Sequence, residues 1–476
     1  MKLFLLFSLF VSFVSAQTYE EYLHSQEEAF SSYKDERDKE FSSFLNKEWK
    51  VYKASQGLSA YEEEKPKKIS IAKKQKVIQL KKRIDVVLQP LEKKKTKSYQ
   101  KIIIRPDTRH LKMLYTSYFG VELVLHYDAS VLFSTKGSVS KESIKKAWDH
   151  LAKSKYETVL KELNEISSTL KLNDWGRYQL VRHVASKLYL HSNEALIFSW
   201  FTLLKMDYDA RIAFQNHRVI LLLPVRSKLY STVYYSFNNK KYYALDYYAK
   251  GTLGSVTSYD NVYKGARKSL DFRLTKQPLF ASKPVVKQFH FEVDNHLISL
   301  SLKYDENLLH FFQTYPQVSY EDYFSSLDAN ILKHSIKASF RPLLEGKSES
   351  EALDLLLSFV QHAFKYKVDT EQFDKEKVMF ASETIFYPYS DCEDRAILFS
   401  YLVKVLLDKD VVGLKYTDHM STAVFIDEKV KGEYIRVKKR NYIVADPTYV
   451  NARLGMSQPK YFGIKPYLID STGGEK

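Results

Sequence analysis

The chain has 476 residues, 45% of them apolar and 14% aromatic, with 73 basic and 57 acidic side chains and a formal net charge of +16. That length exceeds one ordinary domain, and that apolar content excludes global disorder. The charge would suit anionic partners such as envelope polymers or lipid headgroups, though a generally Lys-rich composition is the preferred reading, while no nucleic-acid-binding motif and no glycine-rich phosphate loop occurs, which argues against nucleic acid and nucleotides.

Residues 1–16 predict a secretory signal peptide. Lys2 precedes an apolar run from Leu3 to Val14, and Val14-Ser15-Ala16 offers a small-residue cleavage site. The run falls short of the about 20 apolar residues a spanning helix needs. The expectation is an exported protein, periplasmic or extracellular, soluble or peripherally attached; retention of the signal as an anchor is the alternative. Cys392 is the only cysteine, so no intramolecular disulfide exists. A lone thiol in an oxidising compartment is a liability unless it is buried or used.

Residues 17–100 predict a helical, Lys-rich N-terminal region. Phe30, Tyr33, Phe41, Phe44, Leu45 and Trp49 share one face of a helix over 19–52. Over 64–97, Lys67, Lys68, Lys73, Lys74, Lys81, Lys82 and Lys93–Lys95 flank Ile69, Ile71, Val77, Leu80, Ile84, Val87 and Leu88. That pattern predicts a solvated helix face, with an electrostatic tether to an anionic envelope surface as the functional alternative. Residues 101–270 alternate strand and helix patterns, an α+β domain. Residues 271–335 predict a β-rich spacer, with Phe289, Phe291 and Val293 alternating before a turn at Asn295 and Leu297–Leu302 returning. Residues 336–476 open with a helical stripe through Ala352, Leu355, Leu356, Phe359, Val360 and Phe364.

The chemistry concentrates in that last region. Pro388 blocks helix continuation upstream, and Ser390 or Asp391 can cap a helix whose apolar face runs through Ala396, Leu398, Phe399, Leu402, Val403, Leu406 and Leu407. Cys392 then falls in the first turn, where the helix dipole favours thiolate and free backbone N–H groups can stabilise an oxyanion. His419 precedes a strand over 421–426, and Asp446 ends a strand over 441–445. Both spacings are 27 residues (419 − 392 and 446 − 419). In such a set the histidine takes the thiol proton and the carboxylate fixes its tautomer.

Cys392-Glu393-Asp394, His419 before a strand and Asp446-Pro447-Thr448 at a strand end together resemble the transglutaminase-like superfamily, over about residues 336–455. The cysteine motif is similar to that of bacterial transglutaminase-like cysteine proteinases. The resemblance implies a papain-like α+β fold and a catalytic triad of Cys392, His419 and Asp446. It also implies an oxyanion-hole side chain just before the cysteine, for which Tyr387 and Tyr389 are the candidates. No cofactor and no metal cluster is expected from the residues themselves; similarity to calcium-dependent members implies calcium as an option at Glu393 and Asp394, for which pairing with Arg395 is the alternative.

The middle of the chain repeats the frame loosely. Asn193 at a helix start, His217 before a strand and Asp246 at the end of another are spaced 24 and 29 residues apart (217 − 193 and 246 − 217). Asparagine forms no thiolate, so the region resembles a degenerate transglutaminase-like copy that would bind substrate or pack against the active one. Two unrelated α+β regions with a chance histidine are the alternative. The expected function is an exported cysteine peptidase or amidase acting on an envelope protein or peptide. The alternatives are a cross-linking transglutaminase or a non-catalytic envelope-binding scaffold. The oligomeric state stays open.

Overall fold

The structure is a computed structural model that describes residues 35–58, 65–73, 83–85, 101–103, 111–137, 139–248, 253–326 and 330–470, with backbone alone for 83–85, 101–103 and 247–248. The predicted signal over 1–16 lies outside the described residues, as does most of the 64–97 stretch. No helix among the described residues is long and apolar enough to cross a membrane.

The first helix, α1 (Glu36–Leu45), starts where the Asp35 carboxylate accepts from Arg37 N–H. It buries Phe41 and Leu45. Phe41 packs edge-on against Trp148 and Tyr263 and tilted against Trp200, which fixes α1 onto the middle of the chain. The helix predicted over 19–52 therefore ends at Leu45. Trp49 donates back to the Leu45 carbonyl, and the chain continues as strand β1 (Lys50–Tyr52), paired with residues 256–258. A strand partner some two hundred residues away overrides local helical spacing.

Two short strands, β2 (Arg83–Asp85) and β3 (Lys101–Ile103), precede the hairpin β4 (Lys112–Tyr118) and β5 (Val121–Tyr127). Four helices follow: α2 (Lys141–Lys153), α3 (Glu157–Thr169), α4 (Asp174–Leu188) and α5 (Ser192–Lys205). Every residue of α5 from Glu194 to Leu204 is buried, as expected of a helix apolar on all sides. Next come β6 (Arg211–Gln215) and β7 (Arg218–Leu222), then β8 (Thr232–Phe237) and β9 (Lys240–Tyr248), and the short β10 (Val256–Ser258). The sheet order is β1-β10-β6-β7, and reciprocal Leu223–Tyr243 backbone hydrogen bonds join β7's end to β9.

The hairpin expected around Asn295 is β11 (Pro284–Val293) and β12 (His296–Asp305). Asp294 and Asn295 both have positive φ (45° and 63°), the backbone of a tight I′ turn, which Asx residues tolerate. Phe289 and Phe291 bury on one face, against Phe359. Two short helices, α6 (Glu306–Phe312) and α7 (Tyr320–Ser325), lead to α8 (Asn330–Leu344) and α9 (Glu349–His362). The remainder comprises β13 (Lys365–Tyr366), α10 (Asp369–Phe373), α11 (Ala381–Phe386), β14 (Tyr389–Ser390) and α12 (Cys392–Leu407). After these come β15 (Val411–Lys415), β16 (Met420–Val424), β17 (Tyr434–Val437), β18 (Arg440–Ala445) and β19 (Tyr467–Asp470). These five strands form an antiparallel sheet in the order β17-β18-β16-β15-β19 against α12. The whole is a mixed α+β structure, and one hydrophobic core runs continuously from Phe41 to Ile469.

The element order helix, hairpin, hairpin occurs twice, as α5-β6-β7-β8-β9 and as α12-β15-β16-β17-β18. In both, the second strand of the first hairpin meets the second strand of the other.

Candidate active site

Cys392 is the first helical residue of α12 because Asp391 is held extended (φ −110°, ψ −156°) by β14, which pairs in parallel with β13. Asp391 N–H donates to Asp394 Oδ2 at 3.3 Å, closing the first turn. His419 stands in the turn between β15 and β16, where Tyr416 N–H donates to its carbonyl. Asp446 follows β18. Since β16 lies between β15 and β18, with Thr422 opposite Ala445, the start of one strand meets the end of the other.

The three side chains converge. His419 Nδ1 lies 3.4 Å from Cys392 Sγ, and His419 Nε2 lies 2.8 Å from Asp446 Oδ2. The other carboxylate oxygen, Oδ1, accepts from Thr448 N–H (2.9 Å) and Tyr449 N–H (3.0 Å), while Gln458 Nε2 donates to Oδ2 at 3.3 Å. The imidazole is stacked on Tyr461 at 4.9 Å with planes 11° apart. Burial opposes charge on His419, but the Asp446 carboxylate, with the Cys392 sulfur behind it, outweighs that and raises the ring's pKa to about 10. A buried imidazolium held between a carboxylate and a thiol is the electrostatic setting a thiolate nucleophile uses.

Neither Tyr387 nor Tyr389 hydrogen-bonds to Cys392 in the structure. Tyr387 accepts from Gln313 Nε2 and packs on Phe373 and Phe386, and Tyr389 lies under the Lys367 ammonium. The phenol beside the thiol is Tyr366, whose hydroxyl is 3.6 Å from Sγ. It arrives there because β13 pairs with β14, two residues upstream of the cysteine, a register with no signal in the sequence.

Arg395 pairs with neither Glu393 nor Asp394. Its buried guanidinium donates to Ser390 Oγ and to the carbonyls of Phe364 and Gln361. Asp394 instead accepts from Met379 N–H at 2.9 Å and serves the helix start. Glu393 joins Asp369, Glu376 and Asp391, whose oxygens lie within 4.8 Å of one another. Such an oxygen set suits a hard cation, but the Lys65 ammonium stands at its centre. Lys65 Nζ is 2.7 Å from Asp391, 2.8 Å from Glu376 and 3.8 Å from Asp369, and it donates to Glu393. Burial, then Asp391 beside it, pushes Glu393 up to about 7, and burial with the neighbouring carboxylates raises Asp369 and Asp394 well above their usual range.

Lys65 opens a segment expected to be helical. Residues 65–73 instead form no helix: the chain bends at Lys67 and Lys68, Ile71 bridges Val450 in parallel, and the backbone exchanges hydrogen bonds there through Ala72 N–H and Ser70 C=O. Pro66 near its start removes one donor and disfavours helix for the residue before it.

In the middle of the chain, Asn193 does lie against the 217 turn. Its Nδ2 donates to the His217 carbonyl (2.9 Å), and its Oδ1 accepts from Val219 N–H (3.0 Å). The His217 ring, however, is exposed at φ +65°, and Asp246 bonds to Tyr178 and Arg182 on α4. No Asn193–His217–Asp246 side-chain set forms among the described residues; the asparagine fastens helix to hairpin. No family model, no curated protein and no solved structure matches this chain.

Proposed function

We propose that this chain is a thiol acyl-transfer enzyme of the transglutaminase-like, papain-like type, most simply a cysteine peptidase or amidase acting on a protein or peptide after export. The observation that carries the reading is the Sγ–Nδ1 distance of 3.4 Å together with the Nε2–Oδ2 distance of 2.8 Å, at the start of a buried helix. Cys392 Sγ attacks the substrate carbonyl carbon, and the His419 imidazolium gives its proton to the departing amine, leaving a thioester. Water, deprotonated by the now neutral ring, then displaces the thiolate and releases the acid. Asp446 holds the ring throughout. The Cys392 backbone N–H, at the helix start, is placed to donate to the oxyanion, and the Tyr366 hydroxyl joins it only once released from the Pro66 carbonyl. The middle unit, with asparagine at the matching position, is a packing partner in this account.

The test is p-nitrophenyl acetate with the full chain, followed by intact mass. The expected result is an acetyl adduct on Cys392 that forms with a burst, decays in water, and is absent from His419→Ala. Transfer to an added primary amine faster than to water would favour cross-linking instead. An adduct forming equally in His419→Ala would remove the enzyme reading in favour of a binding scaffold.

A further inference from the structure

Residues 65–73 are a strap that the catalytic steps do not use, yet the strap touches the site at both ends. At one end, Lys65, Cys392 and His419 line the same cavity, which amounts to about 10 Å³, space for roughly one water. The next residue, Pro66, accepts at its carbonyl a 2.9 Å hydrogen bond from Tyr366, the hydroxyl that stands 3.6 Å from Sγ. At the other end, just past Asp446, Ala72 N–H donates to the Val450 carbonyl (2.8 Å), Val450 N–H donates to the Ser70 carbonyl (3.0 Å), and Asn451 Nδ2 donates to the Ala72 carbonyl (3.3 Å). The chain between them bends at Lys67 and Lys68 and forms no helix, so a polypeptide runs from beside the nucleophile to the segment after the carboxylate. That is how a sheet edge or groove accepts a peptide strand.

The strap is held lightly. Ala72 is its one fully buried residue, Ile71 is 68% exposed, and Lys67, Lys68, Ser70 and Lys73 face solvent. A segment with few buried contacts opens at low cost. What anchors it is the Lys65 ammonium among four carboxylates, and that cluster demands a cation: buried like charges without one are costly. With the strap seated, Cys392 is 2% and His419 5% exposed.

We infer that residues 65–73 occupy the substrate groove as an intramolecular pseudosubstrate, so that the site takes polypeptides carrying a basic side chain and admits reagents only in the moments when the strap lifts. This rests on the reading of Cys392 as nucleophile. Asp369, Glu376, Asp391 and Glu393 form the pocket for that basic side chain, and an incoming chain must displace Lys65 from it.

The test is the rate of iodoacetamide labelling of Cys392, the only thiol, in the full chain. Lys65→Gln removes the ammonium, and Ala72→Pro removes the N–H donated to Val450. Each is expected to label at least about tenfold faster than the parent, in the wild-type and in the His419→Ala background alike, since opening is separate from activation. The peptide Lys-Pro-Lys-Lys-Ile-Ser-Ile-Ala-Lys is expected to slow labelling of Ala72→Pro, and the same peptide with Glu first to fail. Unchanged rates in both variants, with thermal unfolding intact, overturn the strap; equal protection by both peptides overturns the preference for a basic side chain. Faster labelling in the strap variants, with His419→Ala as reactive as wild type, upholds the strap and removes only the catalytic reading.

Discussion

His419 Nε2 and Asp446 Oδ2 are 2.8 Å apart, and that contact leaves the other nitrogen of the ring 3.4 Å from Cys392 Sγ. The carboxylate also accepts two backbone N–H groups, so its position is set by the turn after β18 and not by the histidine.

Asp446→Ala therefore removes four accepted hydrogen bonds and leaves a buried imidazole without its counter-charge. The expected cost is on the order of 3–5 kcal/mol, the range for breaking one side of a buried pair. Urea unfolding of variant and wild type at pH 7 measures it.

The same pair makes stability depend on pH. His419 has a folded pKa of about 10, above its ordinary 6.5. Its contribution is fully present below about pH 6.5 and is lost as pH rises through about 10. The stability advantage of wild type over His419→Gln should narrow steadily between pH 7 and pH 10. A gap that stays constant, measured by urea midpoints, contradicts this assignment.

Glu393 gives the same sign in an acid. Its pKa is raised from 4.5 to about 7, so the stabilisation tied to its protonated form is present below pH 4.5 and lost as pH rises through about 7. Glu393→Gln, neutral at every pH, should gain on wild type between pH 5 and pH 8 by on the order of 1 kcal/mol or more. Denaturant titrations at the two pH values decide it.

Asn193 fastens α5 to the β6–β7 turn with both ends of its amide. Asn193→Ala should cost about 1–2 kcal/mol while leaving the labelling rate of Cys392 unchanged. A slowed thiol would mean the middle unit does more than pack.

Much of this was legible in local sequence. The β11–β12 hairpin follows from period-two alternation and an Asp-Asn turn, and the α12 start from Pro388, Asp391 and the apolar stripe beyond. Cys392, His419 and Asp446 come together as their spacing implies, because two hairpins after one helix leave little choice of neighbours. The rest was set by partners distant in sequence. Trp49 fits a helical face, yet the chain beside it pairs with Val256–Ser258. Tyr366 reaches the thiol only through the β13–β14 register. Lys65 is one lysine among many on a Lys-rich stretch, and nothing local marks it as the one whose ammonium meets four carboxylates. In the middle unit the helix, turn and strand order repeats, but His217 points away and Asp246 is taken by Arg182.

The most direct measurement is the ratio of iodoacetamide rates for Cys392 in wild type and His419→Ala near pH 6.5, where both carry the same strap and its gating cancels. His419 Nδ1, 3.4 Å from Cys392 Sγ, is placed to take the thiol proton, and the alanine variant has no such base. Wild type is expected to label at least about tenfold faster. Equal rates, with both proteins folded, would contradict it.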